Sequence, residues 1–170
     1  MNELKRIYEG VLKEHFLENR QMLFLVGPRQ VGKTTTSLEV SEPYKHHFYF
    51  NWDIQNDRIK LVEGPDAIAE VMQLDRLRKA IPVVVFDELH KYGKWKTFLK
   101  GFFDKYSKHV HIIVTGSARL DIYKSGGDSL MGRYFSYRLH PLSVAEILDP
   151  TLKKTEISDP KKMHDEQFLN

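Results

Sequence analysis

Gly27-Pro28-Arg29-Gln30-Val31-Gly32-Lys33-Thr34 satisfies the pattern G-x-x-x-x-G-K-[ST] at every fixed position. Its flanks constrain the fold further. Met22-Leu23-Phe24-Leu25-Val26 is an unbroken apolar run of the kind a strand buried on both faces requires. Thr34 to Val40 reads as a helix closed by Glu42-Pro43. A strand, a glycine loop and a helix in that order form an anion cradle. Gly27 and Gly32 let the backbone turn so that successive N–H groups converge, and the helix aims its positive end at the same point. Average glycine usage makes a chance match in a chain this long on the order of one in a hundred. The motif therefore predicts a triphosphate site in which Lys33 reaches the β/γ-phosphates and the Thr34 hydroxyl coordinates magnesium.

The rest of the chain alternates in the same way. Leu4, Ile7, Val11 and Leu12 recur at helical spacing, predicting an amphipathic helix over roughly residues 2–17. His47 to Trp52 reads as a second strand. Ile68, Val71, Leu74 and Leu77 keep a three-residue step that predicts a helix over 66–79. Pro82-Val83-Val84-Val85-Phe86 is the most strand-like run, and Trp95, Phe98, Leu99, Phe102, Phe103 and Tyr106 form a helix stripe expected to cover the core. Val110–Val114 predicts a further strand, followed by one near 135–139 and a short helix near 143–148. Buried strands alternating with helices imply a parallel sheet covered on both sides.

Composition narrows the class. With 170 residues, 41% of them hydrophobic, the chain suits one packed domain. The net charge of +3 carries no dominant signature, so the lysines at 91, 94, 96, 100, 105 and 108 suit a solvated helix face better than a nucleic-acid surface. The absence of cysteine excludes a disulfide framework, a thiolate zinc site and a cysteine nucleophile. The eight histidines show no metal-ligand spacing. The first residues lack a signal peptide's apolar core, and no apolar run approaches the ~20 residues that span a bilayer. The expectation is a cytoplasmic domain without membrane contact.

Three further segments bear on chemistry. The 82–86 strand delivers Asp87 and Glu88 at its C-terminal end, the edge where parallel α/β sheets bind ligands. Asp87 would hold the magnesium, and Glu88 would act as general base on a water attacking the γ-phosphate. A second carboxylate directly after the metal aspartate favours hydrolysis over transfer to another substrate. Thr115-Gly116-Ser117 brings a hydroxyl to the same edge, from Thr115 or from Ser117. Ser125-Gly126-Gly127 to Gly132-Arg133-Tyr134 is a glycine-rich stretch ending in an arginine. Arg133 suits charge stabilisation on the γ-phosphate, in cis or across a subunit interface, and equally a surface salt bridge. Asn51 and Asp53 follow the second strand and suit turn formation better than the site. No Asn-Lys-x-Asp motif is present to read guanine, so ATP is preferred to GTP.

Taken together, Gly27–Thr34 with Thr35, Phe86-Asp87-Glu88-Leu89-His90-Lys91-Tyr92, Thr115-Gly116-Ser117, Ser125-Gly126-Gly127 through Gly132-Arg133-Tyr134, and His140-Pro141-Leu142-Ser143 with Glu146 resemble a known family. It is a family of bacterial and archaeal AAA-type (AAA+ superfamily) ATPases whose second half is a domain of unknown function. The resemblance runs from about residue 3 to about residue 149. It implies a three-layer P-loop NTPase with a parallel sheet in 5-1-4-3-2 order, Thr115–Ser117 as the first sensor, and Arg133 as a finger. His90 departs from the family, which commonly has glutamine there. The implied organisation is a P-loop ATPase domain over 1–149 and a linker or frayed tail over 150–170, with the usual second domain absent.

These readings lead to one expectation of function. The chain binds ATP and Mg²⁺ through Gly27, Pro28, Arg29, Gln30, Val31, Gly32, Lys33, Thr34 and Thr35, and hydrolyses ATP to drive or gate a protein or nucleic-acid client. The alternative is a nucleotide switch with negligible hydrolysis that controls assembly.

Overall fold

Short runs of β-branched and aromatic residues build a sheet in which every pairing is parallel. The strands are β1 (Met22–Val26), β2 (His47–Asn51), β3 (Val83–Asp87), β4 (His111–Gly116) and β5 (Tyr134–Arg138). The computed structural model describes residues 6–76, 79–117 and 130–148. Across the sheet the order is β2-β3-β4-β1-β5, which is the expected 5-1-4-3-2 read from the other side. The central strands β1 and β3 are buried throughout, as their continuous apolar sequences require, while the edge strands β2 and β5 are partly exposed.

Alternation along the strands divides the core in two. Met22, Phe24 and Val26 of β1 share one face with Val84 and Phe86 of β3. There they pack against α3 (Gln55–Glu63), α4 (Pro65–Val71) and α5 (Trp95–Tyr106) through Leu61, Ile68, Leu99 and Phe102. Leu23, Leu25, Val83 and Val85 face the other way, onto α1 (Ile7–Glu18) and α2 (Lys33–Ser41) through Leu12, Phe16 and Val40. The result is three layers, and α5 covers the core with the aromatic stripe read from its sequence.

The structure departs from expectation between β2 and β3. The apolar step at Ile68, Val71, Leu74 and Leu77 predicts one helix over 66–79, but α4 ends at Val71. Gln73 takes a left-handed φ of 53°, which stops the helix, and Met72 and Leu74 reach the core from a turn instead. The helix α3 leaves no periodic signature because Leu61 alone of its residues is buried while Ile59 and Val62 are exposed. The start of the first predicted helix (residues 2–5), Leu77, the glycines at 126 and 127, and the segment 149–170 lie outside the described residues. A short α6 (Val144–Leu148) follows β5.

Candidate functional site

All strands end at one edge, and the Gly27–Thr34 loop sits there between β1 and α2. Gly27 is required by contact: a Cβ on it would lie 2.3 Å from the Leu139 carbonyl oxygen. Gly32 begins α2 at φ 88°, a conformation that suits glycine. Lys33 is buried, and its Nζ donates to the Gly27 and Pro28 carbonyls at 3.2 and 2.6 Å. Burial lowers its pKa, the charges of Glu88 and Asp87 partly oppose that shift, and Arg29 adds to it.

Strand register brings the acidic centre to the α2 face. Asp87 lies in phase with Val83 and Val85, and Thr115 pairs in register with Leu25. Asp87 is 2% exposed and accepts from three hydroxyls. Thr34 donates to Oδ2 at 2.8 Å, Tyr49 donates to the same oxygen at 2.6 Å, and Thr115 donates to Oδ1. A hydroxyl and a carboxylate side by side are the hard oxygen donors that Mg²⁺ accepts, so Thr34 and Asp87 fit such an ion. Among the described residues no cluster of three or more His, Asp or Glu forms a separate metal site.

Glu88 turns away from the strand through a left-handed φ of 54°. Its Oε2 lies 3.0 Å from Lys91 Nζ, which also pairs with Asp53 at 2.5 Å. The Asp53 hydrogen bond raises the Lys91 pKa, against a smaller opposing effect of burial. Arg29, Gln30, Lys33, Thr34, Thr35, Glu88 and Lys91 line one open cleft of about 560 Å³, a size suited to a small-molecule ligand. A second cleft of about 270 Å³ lies against the outer side of the loop, between Thr35, Glu39 and Pro141-Leu142.

Thr115 and Ser117 differ in what they have left to give. The Thr115 hydroxyl is fully buried and committed to Asp87, whereas Ser117 Oγ is buried with no partner among the described residues. Arg133 falls elsewhere. It directly precedes β5, its carbonyl accepts from the Met22 N–H at the start of β1, and its guanidinium grips Asp104 at 2.7 and 3.1 Å. It thus sits at the edge of the sheet opposite the loop, about 16 Å away by the length of β1. An arginine side chain is shorter than that distance, so in this structure Arg133 and its own loop lie apart.

Sequence reasoning missed Tyr49 and the ties of Lys91. Tyr49 stands in register with Val85, two residues before Asn51, so strand alternation places it on the Asp87 face once the β2–β3 pairing is known. Asn51 does form a turn, accepting from the Asp53 N–H at 2.9 Å, but its Nδ2 also donates to Tyr49 Oη at 3.0 Å.

The model of the AAA domain family matches residues 19–148. No curated protein matches the sequence. Among solved structures, the chain is similar to C. elegans PCH-2, with a TM-score of 0.52 and 15% identity over 79% of this chain and 40% of that one. It is also similar to the Aeropyrum pernix ORC1 protein, solved in complex with DNA, with a TM-score of 0.56 and 12% identity over 84% of this chain and 48% of that one. The chain thus spans less than half the length of either structure, and at these identities the likeness is one of fold.

Proposed function

We propose that this chain, which belongs to the AAA domain family of ATPase-type nucleotide-binding domains, binds Mg·ATP at the Gly27–Thr34 loop and hydrolyses it to ADP and phosphate. The observation that carries the reading is the meeting of Lys33, Thr34, Asp87 and Glu88 at one sheet edge around an amide-lined loop. Lys33 exchanges its bonds to the Gly27 and Pro28 carbonyls for the β/γ-phosphates. Thr34 and Asp87 would hold magnesium, which supplies charge neutralisation on the phosphates. Glu88 takes a proton from water as the water oxygen bonds to the γ-phosphorus and the bond to the β-bridging oxygen breaks. Ser117, with its hydroxyl uncommitted among the described residues, suits a contact to the γ-phosphate or the water better than Thr115.

We take residues 1–149 as the ATPase domain, of the bacterial and archaeal branch that carries a second domain, working in the cytoplasm where Mg·ATP is supplied. Arg133 would serve the cleft of another copy. The turnover would drive or gate a protein or nucleic-acid client.

Phosphate release from wild type, Lys33→Ala and Glu88→Gln tests the reading. Lys33→Ala should lose nucleotide affinity, and Glu88→Gln should keep affinity while losing turnover by about 10²–10⁴-fold. Equal rates in all three would refute it. A switch with negligible hydrolysis is the second reading, favoured by the Glu88–Lys91 ion pair at 3.0 Å, which holds the base. Light scattering that changes with ATP, without phosphate release, would select it.

A further inference from the structure

Arg6 is 9% exposed, and its guanidinium joins three segments remote in sequence. Nη1 donates to the Val31 carbonyl at 2.9 Å, Nη2 to the His140 carbonyl at 2.6 Å, and Nε to Glu146 Oε1 at 3.1 Å. Glu146, 4% exposed, is held just as fully. Its Oε1 also accepts from the Ile7 N–H at 3.2 Å, and its Oε2 accepts from the Ser143 N–H and hydroxyl at 2.9 and 3.0 Å. Its own N–H returns to Ser143 Oγ at 3.2 Å, so Ser143 and Glu146 form a capping box at the start of α6. Burial alone would raise the Glu146 pKa, but bonds from Ser143, Ile7 and Arg6 outweigh it and hold the carboxyl below its usual range.

The contact to Val31 falls inside the phosphate loop. Across a planar trans peptide the carbonyl of one residue and the N–H of the next point in opposite directions, and the described backbone has no cis bonds. A Val31 carbonyl drawn outward to Arg6 therefore turns the Gly32 N–H to the opposite side.

We propose that Arg6 is a positioning residue for the phosphate loop: oriented by Glu146, it holds the Val31 carbonyl outward so that the Gly32 amide is presented to the phosphate chain. The proposal rests on the reading of the loop as a triphosphate site. It also ties the segment from His140 to Glu146 to phosphate affinity through a single side chain. A guanidinium suits this task because its rigid planar fork points separate donors at the two carbonyls and the carboxylate, where a compact ammonium would have to gather all three acceptors around one atom.

Calorimetry with Mg·ATP and with inorganic tripolyphosphate, alongside steady-state hydrolysis, tests it on wild type, Arg6→Lys and the double variant Arg6→Gln/Glu146→Gln. The double variant leaves no buried charge unpaired, so its fold is not put at risk by a lone carboxylate. Wild type should bind both ligands. Each variant should lose about tenfold or more in affinity, by the same factor for both ligands, as expected when a charged hydrogen bond is lost. KM should rise with kcat little changed, because binding rather than chemistry is affected. Unchanged affinity in both variants would overturn the proposal. So would a loss for Mg·ATP with tripolyphosphate unaffected, which would assign Arg6 to the base side, or a fall in kcat at constant KM. Failure of wild type to bind either ligand would sink the triphosphate reading itself, whereas normal wild-type binding with unaltered variants would sink this inference alone.

Discussion

Tyr49 donates its phenolic hydrogen to Asp87 Oδ2 across 2.6 Å, the same oxygen that the Thr34 hydroxyl reaches from α2. Two donors from separate layers thus fix one carboxylate oxygen beside the first turn of α2. Burial raises the Tyr49 pKa and the bond to Asp87 raises it further, so Tyr49 stays a donor at any working pH. Removing the hydroxyl should leave Asp87 held by Thr34 and Thr115 but less well aimed. Tyr49→Phe should cost about 1–2 kcal/mol in denaturant unfolding. It should also raise the magnesium concentration needed for half-maximal phosphate release, with the rate recovering at saturating magnesium. An unchanged magnesium requirement would show that Tyr49 only packs.

Gly27 and Gly32 fail for different reasons when a methyl is added. At Gly27 a Cβ meets the Leu139 carbonyl at 2.3 Å, and backbone on both sides must move. At Gly32 the nearest atom is Arg6 Nη1 at 3.7 Å, so space is adequate and the φ of 88° is the obstacle. Gly27→Ala should destabilise by about 1–3 kcal/mol, in the range of overpacking, and Gly32→Ala by about 1–2 kcal/mol, in the range of left-handed strain. Unfolding curves give both values. A Gly27→Ala chain as stable as wild type would show that the segment after β5 yields easily.

How far the sequence foretells this site depends on the kind of information each part needs. The loop is legible because its eight positions are contiguous and each residue type has its own chemical reason. Asp87 and Glu88 are legible because an apolar strand announces where its end must lie. Tyr49, Lys91 and Arg6 are not, since each acts on a partner that only strand register or tertiary packing brings near: Asp87 for Tyr49, Asp53 for Lys91, Val31 and Glu146 for Arg6. The same limit applies to α3, whose apolar residues follow no single face. For Arg133 the place in the order of motifs is plain, but the edge of the sheet it occupies is a matter of topology.

Acid should weaken the α1 side of the core. His15 is 2% exposed, with Nδ1 2.9 Å from Tyr137 Oη and Nε2 2.9 Å from the Gln21 carbonyl. The neutral ring satisfies both if Nε2 carries the hydrogen. Burial lowers its pKa below the usual 6.5, despite an opposing contribution from Gln21, and burial and then His15 lower that of His111. The unfolded chain therefore binds protons first as pH falls through 6.5, and the stability that both rings contribute when neutral is lost from there downward. Unfolding midpoints measured from pH 7 to pH 5 should fall, and His15→Gln should flatten that fall by removing one of the two contributions. A midpoint independent of pH in this range would contradict the account.

A role for Arg133 on a phosphate would place that phosphate in another copy of the chain. The Arg133 guanidinium lies at the N-terminal edge of the sheet on Asp104, while its own loop lies at the C-terminal edge. The pair with Asp104 lies at the surface, so its loss in Arg133→Ala should itself cost little stability. If the arginine completes a neighbour's cleft, phosphate release per chain should rise with wild-type concentration, and Arg133→Ala should be slow at every concentration. The decisive measurement mixes two inactive chains. Arg133→Ala has an intact loop but no finger to lend, and Lys33→Ala has a finger but a disabled loop. Together they should recover activity, because a Lys33→Ala copy can supply its Arg133 to the cleft of an Arg133→Ala copy. Mixtures no faster than the sum of their parts would leave Arg133 as the surface ion pair it makes with Asp104.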